Sequence, residues 1–214
     1  MEIHYHKSLD STHLFLEKAI LEKSLKTPVA IVCETQIGGV GSGENSWKSY
    51  EGNLFLSFAL HKSSLPSDLP IQSASIYFSF LMKEVLSDLG SAVWLKWPND
   101  FYIEDKKIGG TITKLILGET LLCSMGINLK FSPKNFNILD INVKKNRLLD
   151  LYFLKLKQDH FWKNIFNIYK IEFEKSKQFT YYDKQIQARV SLNDSILNED
   201  GSITIEDRKV YSLR

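Results

Sequence analysis

The chain has 214 residues, which is long enough for one domain with a substantial core and a small appendage. Its hydrophobic content of 43% and charged content of 24% are ordinary for a soluble globular protein. A formal net charge of +2 is too small to indicate binding to nucleic acid or to an anionic membrane surface.

The N-terminal segment and the cysteines indicate a reducing compartment. The opening MEIHYHKSLDS has no apolar core of signal-peptide length, and no run approaches a membrane span, so we expect a cytoplasmic protein. Cys33 and Cys123 lie in apolar runs, which favours buried free thiols over a disulfide. No pair of cysteines or histidines has zinc-site spacing. The first apolar-periodic element leads directly into the main domain, so no DNA-binding helix-turn-helix segment is expected.

The first ninety residues predict two helices and two buried strands around a glycine-rich loop. In chain order these are a helix over Ser8–Ser24, a strand over Val29–Cys33, the loop over Glu34–Trp47, a strand over Asn53–Leu60 and a helix over Leu69–Leu89. The apolar face of the first helix is expected to comprise Leu14, Phe15, Ala19 and Leu21.

The start of the first helix is a candidate ligand site. Ser8, Asp10 or Ser11 can cap the helix, and Thr12 and His13 follow. Hydroxyls and free backbone N–H groups at a helix N-terminus can hold a polar or anionic ligand. Simple capping explains the same residues, so both interpretations stay open.

The loop carries four glycines within six residues, Gly38, Gly39, Gly41 and Gly43. Such a segment can form neither a regular helix nor a well-packed strand, and it can present N–H groups to phosphates. It lacks the lysine of a P-loop and the spacing of a dinucleotide-binding fingerprint. A mobile surface loop is the alternative.

The stretch from Val93 to Gly110, VWLKWPNDFYIEDKKIGG, concentrates polar groups at a turn. Val93–Leu95 predicts a buried strand, Pro98 enforces a turn, and Phe101–Glu104 predicts a second strand. An amide, a carboxylate and two lysines then lie near glycine backbone that allows close approach. This layout suits an anionic ligand, and an ordinary hairpin with a solvated polar end is the alternative.

The second half predicts a hairpin, a helical segment and a small β appendage. The segments are strands over Ile108–Leu117 and Leu121–Leu129, an irregular stretch over Phe131–Asn146, helix over Leu148–Lys177 and short strands over Gln185–Arg214. The helical aromatics are expected in the core: Tyr152, Phe153, Phe161, Trp162, Phe166, Tyr169 and Phe173. Asn128, at a strand end, is expected to have a free amide.

Three motifs follow one another along the chain: KWPND at 96–100, KIGG at 107–110 and MGIN at 125–128. Ser11-Thr12 and Gln36 precede them. This combination resembles the biotin–protein ligase family over nearly the whole chain. The matching family motifs are KWPND, a lysine loop of the form K-hydrophobic-x-G, GxGIN and STN.

The resemblance implies an α+β fold of the class II aminoacyl-tRNA synthetase-like type. A mixed sheet packed with helices would form a catalytic domain over residues 1–180, and a small SH3-like β domain would follow over residues 181–214. It also implies the class of ligase that lacks the DNA-binding repressor domain. A homodimer is compatible with the resemblance, because the family includes monomers and dimers.

The resemblance also implies two chemical steps. Biotin and ATP, with Mg²⁺, would form biotinyl-5′-AMP and pyrophosphate. The acyl group would then pass to one lysine of a biotin carboxyl carrier protein, of acetyl-CoA carboxylase or pyruvate carboxylase type.

Residue roles carry over from the same resemblance. Lys107 would neutralise charge during adenylation, and Asp100 would position or deprotonate the acceptor lysine. Biotin would contact Ser11, Thr12, His13, Gln36, Gly39, Val40, Gly41, Ser42, Lys107 and Gly110. The nucleotide would contact Trp47, through stacking on adenine, and Lys96, Asn99 and Asn128. No side chain is expected to ligate metal directly.

The chain departs from the family pattern in its glycine loop, which is normally GRGRxGR. Residues 39–45 here read GVGSGEN, and Ser42 occupies the place of the arginine that would face carboxylate and phosphate. We therefore expect an active enzyme that holds biotinyl-AMP less tightly, unless Lys48 supplies the charge. His13 replaces the usual asparagine, and Ser124 replaces a glycine.

Two alternatives remain at this point. A lipoate or octanoate ligase or transferase shares the fold and an acyl-lysine product, but lacks KWPND in this form. A degenerate ligand-binding module without catalysis is the other alternative, although the retained Lys107, Asn99, Asp100 and Gln36 argue against decay.

Overall fold

The computed structural model describes residues 1–41, 46–183 and 186–211. The α-helices are α1 (Thr12–Leu21), α2 (Ala74–Asp88), α3 (Lys145–Leu156) and α4 (Trp162–Phe173). The longer strands are β1 (Glu2–Leu9), β2 (Val29–Gln36), β5 (Leu54–His61), β8 (Lys106–Ile116) and β9 (Thr120–Ile127). The shorter ones are β3 (Gly39–Val40), β4 (Ser46–Trp47), β6 (Trp94–Lys96), β7 (Asp100–Ile103), β10 (Thr180–Asp183), β11 (Ala188–Ser191), β12 (Ile196–Leu197), β13 (Ile203–Ile205) and β14 (Arg208–Val210).

Seven strands form one mixed sheet in the order β1-β2-β5-β9-β8-β7-β6. The β1–β2 pair is parallel, and the other pairs in this sheet are antiparallel. Helix α1 covers one face, where Leu16 and Ile20 pack on Ile31 and Leu122. Helices α2, α3 and α4 cover the other face and enclose the larger core. The expected α+β class, a mixed sheet packed with helices, is confirmed.

The C-terminal strands are tied to the rest of the chain by hydrogen bonds from two indole groups. Trp97 Nε1 donates to the Gly201 carbonyl at 3.0 Å, and Trp162 Nε1 donates to the Glu199 carbonyl at 2.8 Å. Ile203 lies in the same core cluster as the central sheet. The small C-terminal strands agree with a β appendage, while its boundary and its SH3-like topology stay predictions.

The prediction for the N-terminus was wrong in two respects. Residues 2–9 form edge strand β1, so the helix begins at Thr12, with Ser11 as its N-cap, and not at Ser8. The predicted apolar face was also wrong, because Leu14, Phe15 and Leu21 are exposed while Leu16 and Ile20 are buried. Strand β1 is an edge strand that pairs only with β2, and two of its eight residues are histidines. Its apolar–polar alternation is therefore weak, and the sequence did not predict a strand here.

Most other predicted elements are confirmed within a few residues. The long helical stretch is two helices, and its aromatic residues are buried or partly buried except Phe161, which is exposed. Cys33 and Cys123 are free and buried, and burial raises the pKa of the Cys33 thiol to about 11. Across the described ranges, no helix combines the length and the apolar character needed to cross a bilayer.

Candidate active site

A pocket opens at the N-terminus of α1, over the sheet face that this helix covers. It is lined by Ser11, Thr12, His13, Gln36, Val40, Gly41, Trp47, Asn99, Asp100, Lys107, Gly110, Thr111, Ile112, Ser124, Met125 and Gly126. The lining residues come from segments spread between positions 11 and 126, and the fold brings them together. The pocket joins a charged end, a neutral polar end and an aromatic wall.

The floor of the pocket is bare because two glycines lie opposite each other in the sheet. Gly110 of β8 pairs in register with Gly126 of β9. A Cβ at Gly126 would lie 2.9 Å from Trp47 Cε2, and one at Gly110 would lie 2.9 Å from Asp100 Oδ1. Neither position can carry a larger side chain unless its neighbour moves. The glycine pair therefore lets an aromatic ring and an ion pair lie directly against the sheet.

The charged end of the pocket is an ion pair between neighbouring strands. Lys107 Nζ lies 2.7 Å from Asp100 Oδ1, and both side chains are partly exposed. Lys107 Nζ also lies 3.4 Å from the position of a Cβ on Gly110, so the ammonium group sits over the bare floor. An ammonium group in this place can meet an anionic ligand.

A β-bulge aims Lys107 into the pocket. Phe101 pairs with Gly109, but the next residue, Tyr102, pairs with Lys107, so Ile108 is the extra residue. In a regular strand, positions 107 and 110 would point to opposite faces. The bulge shifts the alternation by one residue, which brings Lys107 to the side of Gly110 while Ile108 stays in the core.

The turn that carries Asp100 is anchored on both sides. Trp97 is fully buried, and its backbone N–H donates to Ser176 Oγ at 3.0 Å. The Asn99 side-chain amide donates to the carbonyl of Thr111, and Thr111 N–H donates to the Asn99 carbonyl at 3.0 Å. Asn99 lines the pocket, but its amide also has a structural role here.

The neutral end of the pocket is a run of hydroxyl groups. Gln36 Oε1 accepts hydrogen bonds from the Thr12 backbone N–H at 2.8 Å and from the Thr12 hydroxyl at 3.1 Å. The Ser57 hydroxyl donates to Thr12 Oγ1 at 2.8 Å and lies 2.7 Å from Ser124 Oγ. Ser124 Oγ in turn lies 2.8 Å from His13 Nδ1. Ser57, Ser124, Thr12 and His13 are buried, so the three contacts among these four side chains are shielded from water.

His13 is held neutral by its surroundings. Burial lowers the pKa of its imidazole, the Glu17 carboxylate opposes that shift, and Lys114 reinforces it. His13 Nε2 lies 3.8 Å from Glu17 Oε2, which is too long for a good hydrogen bond. Glu17 is instead paired with Lys114, at 2.5 Å between Nζ and Oε1.

Trp47 separates this pocket from a second one. Its ring lies against Gly126 and meets Phe136 edge-on at 6.3 Å between centroids, and its buried Nε1 has no partner among the described residues. The second pocket lies beyond the ring and is lined by Ser46, Trp47, Lys48, Asn128, Pro133, Lys134, Asn135 and Phe136. An aromatic wall beside lysines suits a flat anionic ligand such as a nucleotide.

Three predicted site residues differ from expectation, in their position or in the contacts of the side chain. Lys96 is buried in β6 with Nζ 5.9 Å from the Tyr102 ring centroid, and it does not line the pocket. Gly39 also does not line it, because its backbone pairs with Trp47. Asn128 lines the second pocket, and its amide is not free: Oδ1 accepts from Asn53 and Nδ2 donates to the Asn137 carbonyl, both at 3.3 Å. Ser42 falls outside the described residues.

The remaining predicted residues are brought together, and sequence reasoning missed several of their supports. Lys48, considered as a substitute for the loop arginine, lines the second pocket and not the first. Ser57 was missed, although a lone serine in the apolar run LFLSFALH could have signalled an inward hydroxyl. Along the sequence, Ser124 and His13 are two separate departures from the family motifs, and these motifs did not predict that their side chains meet.

Sequence comparison places the chain among ligases. Residues 5–130 match the biotin/lipoate A/B protein ligase family. The bifunctional ligase/repressor BirA of Escherichia coli is 34% identical over 128 residues, which are 56% of this chain and 38% of that protein. Biotin–protein ligase 2 of Arabidopsis thaliana is 28% identical over 192 residues, 81% of this chain and 55% of that protein. The chain thus spans about two fifths to half the length of these relatives.

Structural comparison covers the whole chain. The biotin acetyl coenzyme A carboxylase synthetase of Helicobacter pylori, solved with bound biotinylated ATP, is 37% identical with a TM-score of 0.93, covering 98% of this chain and 99% of that one. The biotin protein ligase of Leishmania major with biotinyl-5-AMP is 20% identical with a TM-score of 0.69, covering 94% and 93%. The second likeness concerns the fold alone.

Proposed function

Because the chain belongs to the biotin/lipoate A/B protein ligase family, we propose that it is an ATP-dependent biotin–protein ligase. It would form biotinyl-5′-AMP from biotin and ATP and transfer biotin to a lysine of a biotin carboxyl carrier protein. The H. pylori relative, which is similar over the full length of this chain, was solved with biotinylated ATP, and this supports the choice of both substrates.

One observation carries the proposal: a single pocket joins the three kinds of group that this reaction needs. The Lys107–Asp100 pair lies at one end, the Thr12–Gln36 hydrogen bonds lie at the other, and Trp47 forms the wall. A cation suits the reacting carboxylate and phosphate, oriented polar groups suit a ureido ring, and an indole suits a nucleobase.

The first step brings two anions together, so charge neutralisation is the main requirement. A biotin carboxylate oxygen attacks the α-phosphorus of ATP, a new oxygen–phosphorus bond forms, and pyrophosphate leaves. Lys107 Nζ would turn from Asp100 toward the carboxylate and the α-phosphate, where its charge stabilises the transition state. Mg²⁺, which enters with ATP as a substrate, would neutralise part of the phosphate charge.

The second step transfers the acyl group to an amine. The acceptor lysine has an ordinary pKa near ~10.4 and must lose a proton before it attacks. Asp100, released from Lys107, is the carboxylate at this end of the pocket and would orient the amine and take that proton. The amine nitrogen bonds to the acyl carbon, the bond from acyl carbon to phosphate oxygen breaks, and AMP leaves.

The polar end of the pocket favours biotin over lipoate. Thr12, Gln36 and Ser124 present hydrogen-bonding groups that a cyclic urea can pair with. A dithiolane ring or an alkyl chain would offer no carbonyl to the Gln36 amide nitrogen and no N–H group to the lone pairs that Thr12 and Ser124 leave unused, and each buried polar group left unpaired costs about 1–3 kcal/mol. Within the family, biotin is therefore the substrate that the pocket fits best.

Pyrophosphate release and acceptor labelling test the proposal. Purified protein with MgATP should release pyrophosphate with biotin and not with lipoate or octanoate, and it should biotinylate a carrier-domain fragment. Faster release with lipoate would support the alternative acyl ligase. Binding of biotin with no pyrophosphate release and no labelled carrier would support a non-catalytic ligand-binding module.

A further inference from the structure

The hydroxyl run at the neutral end of the pocket has a direction that the contacts determine. It comprises Gln36, Thr12, Ser57, Ser124 and His13, linked by contacts of 2.7–3.1 Å between side-chain atoms. Each hydroxyl has one hydrogen to donate. Once the donor in the contact at one end is known, the donor in every later contact is determined.

The direction is set at Gln36. A backbone N–H can only donate, so the Gln36 atom that meets Thr12 N must be the oxygen. That oxygen can only accept, so the Thr12 hydroxyl donates to Gln36 and accepts from the Ser57 hydroxyl. The Gln36 amide nitrogen is thereby turned toward Gly39, 3.0 Å from the position of a Cβ there.

The same reasoning continues to the histidine. The Ser57 hydrogen goes to Thr12, so Ser124 must donate in its contact with Ser57. The Ser124 hydrogen is then used, so Ser124 Oγ must accept from His13 Nδ1, which therefore carries a hydrogen. All hydrogens in the run point from His13 toward Gln36.

We infer that His13 is a positioning residue for the ligand head group. Its Nδ1–H orients Ser124, Ser57 and Thr12, so that the remaining oxygen lone pairs of Ser124 and Thr12, which line the pocket, and the Gln36 amide nitrogen have set positions. Such an end accepts hydrogen bonds from ligand N–H groups and donates to a ligand carbonyl. A cyclic urea has both kinds of group. The identification of that urea with biotin rests on the function proposed above, while the direction of the run does not.

Protonation of His13 does not reverse the run, because Nδ1 carries a hydrogen in both the Nδ1–H neutral form and the imidazolium. The charged groups that face the ring are Glu17 on its own helix and Lys114 on β8, and Ser124 on β9 is its neutral partner. The neutral Nε2–H tautomer is the form that conflicts with the run, since it would set the Nδ1 lone pair against an oxygen that has no hydrogen left.

The tautomer can be measured in the full chain without ligand. The ¹⁵N shifts and the long-range ¹H–¹⁵N correlations of a histidine ring distinguish the two neutral forms, and the signals of His13 are identified by their loss in His13→Asn. We expect His13 to be protonated at Nδ1 at pH 7.5. Detection of the Nε2–H tautomer would overturn the inference, whatever the protein binds.

A matched pair of substitutions tests the donor directly. Asparagine and aspartate have similar shapes, but the asparagine amide can donate to Ser124 and the aspartate carboxylate can only accept. His13→Ala should raise the KM for biotin tenfold or more with little change in kcat. His13→Asn should recover most of that loss, and His13→Asp should not. Equal KM values for the Asn and Asp variants would contradict a donor role.

A double-mutant cycle separates this role from plain packing. Ser124→Ala should raise the KM for biotin about as much as His13→Ala, and the double variant should be little worse than either, because both break one run. Fully additive losses would contradict the inference. Lys18→Ala, on the exposed side of the same helix, is the control for damage to α1. If the wild-type protein binds no biotin at all, the proposed function fails. The tautomer of His13 still tests the direction of the run, because that measurement needs no ligand.

Discussion

The two ends of the pocket are built on opposite electrostatic principles. At one end, Lys107 and Asp100 form an ion pair of 2.7 Å that is partly open to solvent. At the other, Thr12, Ser57, Ser124 and His13 form a buried and neutral hydrogen-bond run. The charged pair can rearrange when a ligand arrives, whereas the neutral run is already oriented.

This difference indicates that the two ends of the pocket have different functions. A partly exposed ion pair contributes little to stability, so Lys107 can leave Asp100 at small cost and meet new negative charge. A buried run has no water to replace a lost partner, so it favours one arrangement and one ligand shape. We therefore expect the charged end to govern turnover and the neutral end to govern recognition of the acid.

Removal of the cation should have the largest effect. Lys107→Ala deletes the positive charge aimed at the reacting groups and should lower kcat for pyrophosphate release by roughly 10²–10³-fold. The KM for biotin should change little. Lys106→Ala is the matched control, because Lys106 is the neighbouring lysine on the same strand, is exposed and does not line the pocket. Equal losses in the two variants would show that general charge, and not Lys107, matters.

A methyl group on the pocket floor should have the next largest effect. Gly126→Ala places a Cβ 2.9 Å from the Trp47 ring, which must move, so the KM for ATP should rise about tenfold, the factor that corresponds to 1.4 kcal/mol. The KM for biotin should rise less. Gly38→Ala is the control, since its Cβ would meet only the Asp10 carbonyl oxygen at 3.8 Å. A larger rise for biotin than for ATP would contradict our division of the pocket.

A weakened support beneath the charged end should reduce stability moderately. Trp97→Phe removes the donor to the Gly201 carbonyl in the core and should lower the free energy of unfolding by about 1–3 kcal/mol in urea titrations. Trp94→Phe should cost less, because its acceptor, the Glu104 carbonyl, belongs to an exposed turn residue and water can replace the indole. The opposite order would indicate that the C-terminal strands do not anchor the KWPND turn.

The pH dependence of stability should give the smallest effect. Burial lowers the pKa of His13 in the folded state, so near and below pH 6.5 the unfolded chain binds more protons than the folded one. The free energy of unfolding should therefore fall as the pH falls through that range, and His13→Asn should reduce this decline. Thermal unfolding of both proteins between pH 5 and pH 8 measures it. If the free energy of unfolding of the variant falls with pH as steeply as that of the wild type, the decline is caused by groups other than His13.

The sequence predicted the main elements well where their patterns were strong. Helix α2 is buried nearly all round, and the β8–β9 hairpin has a glycine at its turn, so both were recognised. Strand β1 was missed because an edge strand buries only part of its surface and need not alternate strongly. The exposed positions of Leu14 and Phe15 were misread for a similar reason, since one short helix offers several possible apolar stripes.

The site could be predicted as a set of residues but not as an arrangement. Short motifs identified Lys107, Asp100, Gln36 and Thr12, because their residue types carry the chemistry. The amide of Asn128 was wrongly expected to be free, since its partners Asn53 and Asn137 lie on other segments. Hydrogen-bond partners that are distant along the chain leave no local pattern.

By itself, the sequence determined which chemical groups are present and which short segments carry them. The tertiary structure alone decided where they point. The bulge at Ile108 turns Lys107 toward Gly110, and the packing of α1 on the sheet joins His13 to Ser124, 111 positions later. Both outcomes depend on contacts between segments that come together only when the sheet forms and α1 packs on it. Two departures that look independent along the chain, at positions 13 and 124, are therefore one hydrogen bond in the folded protein.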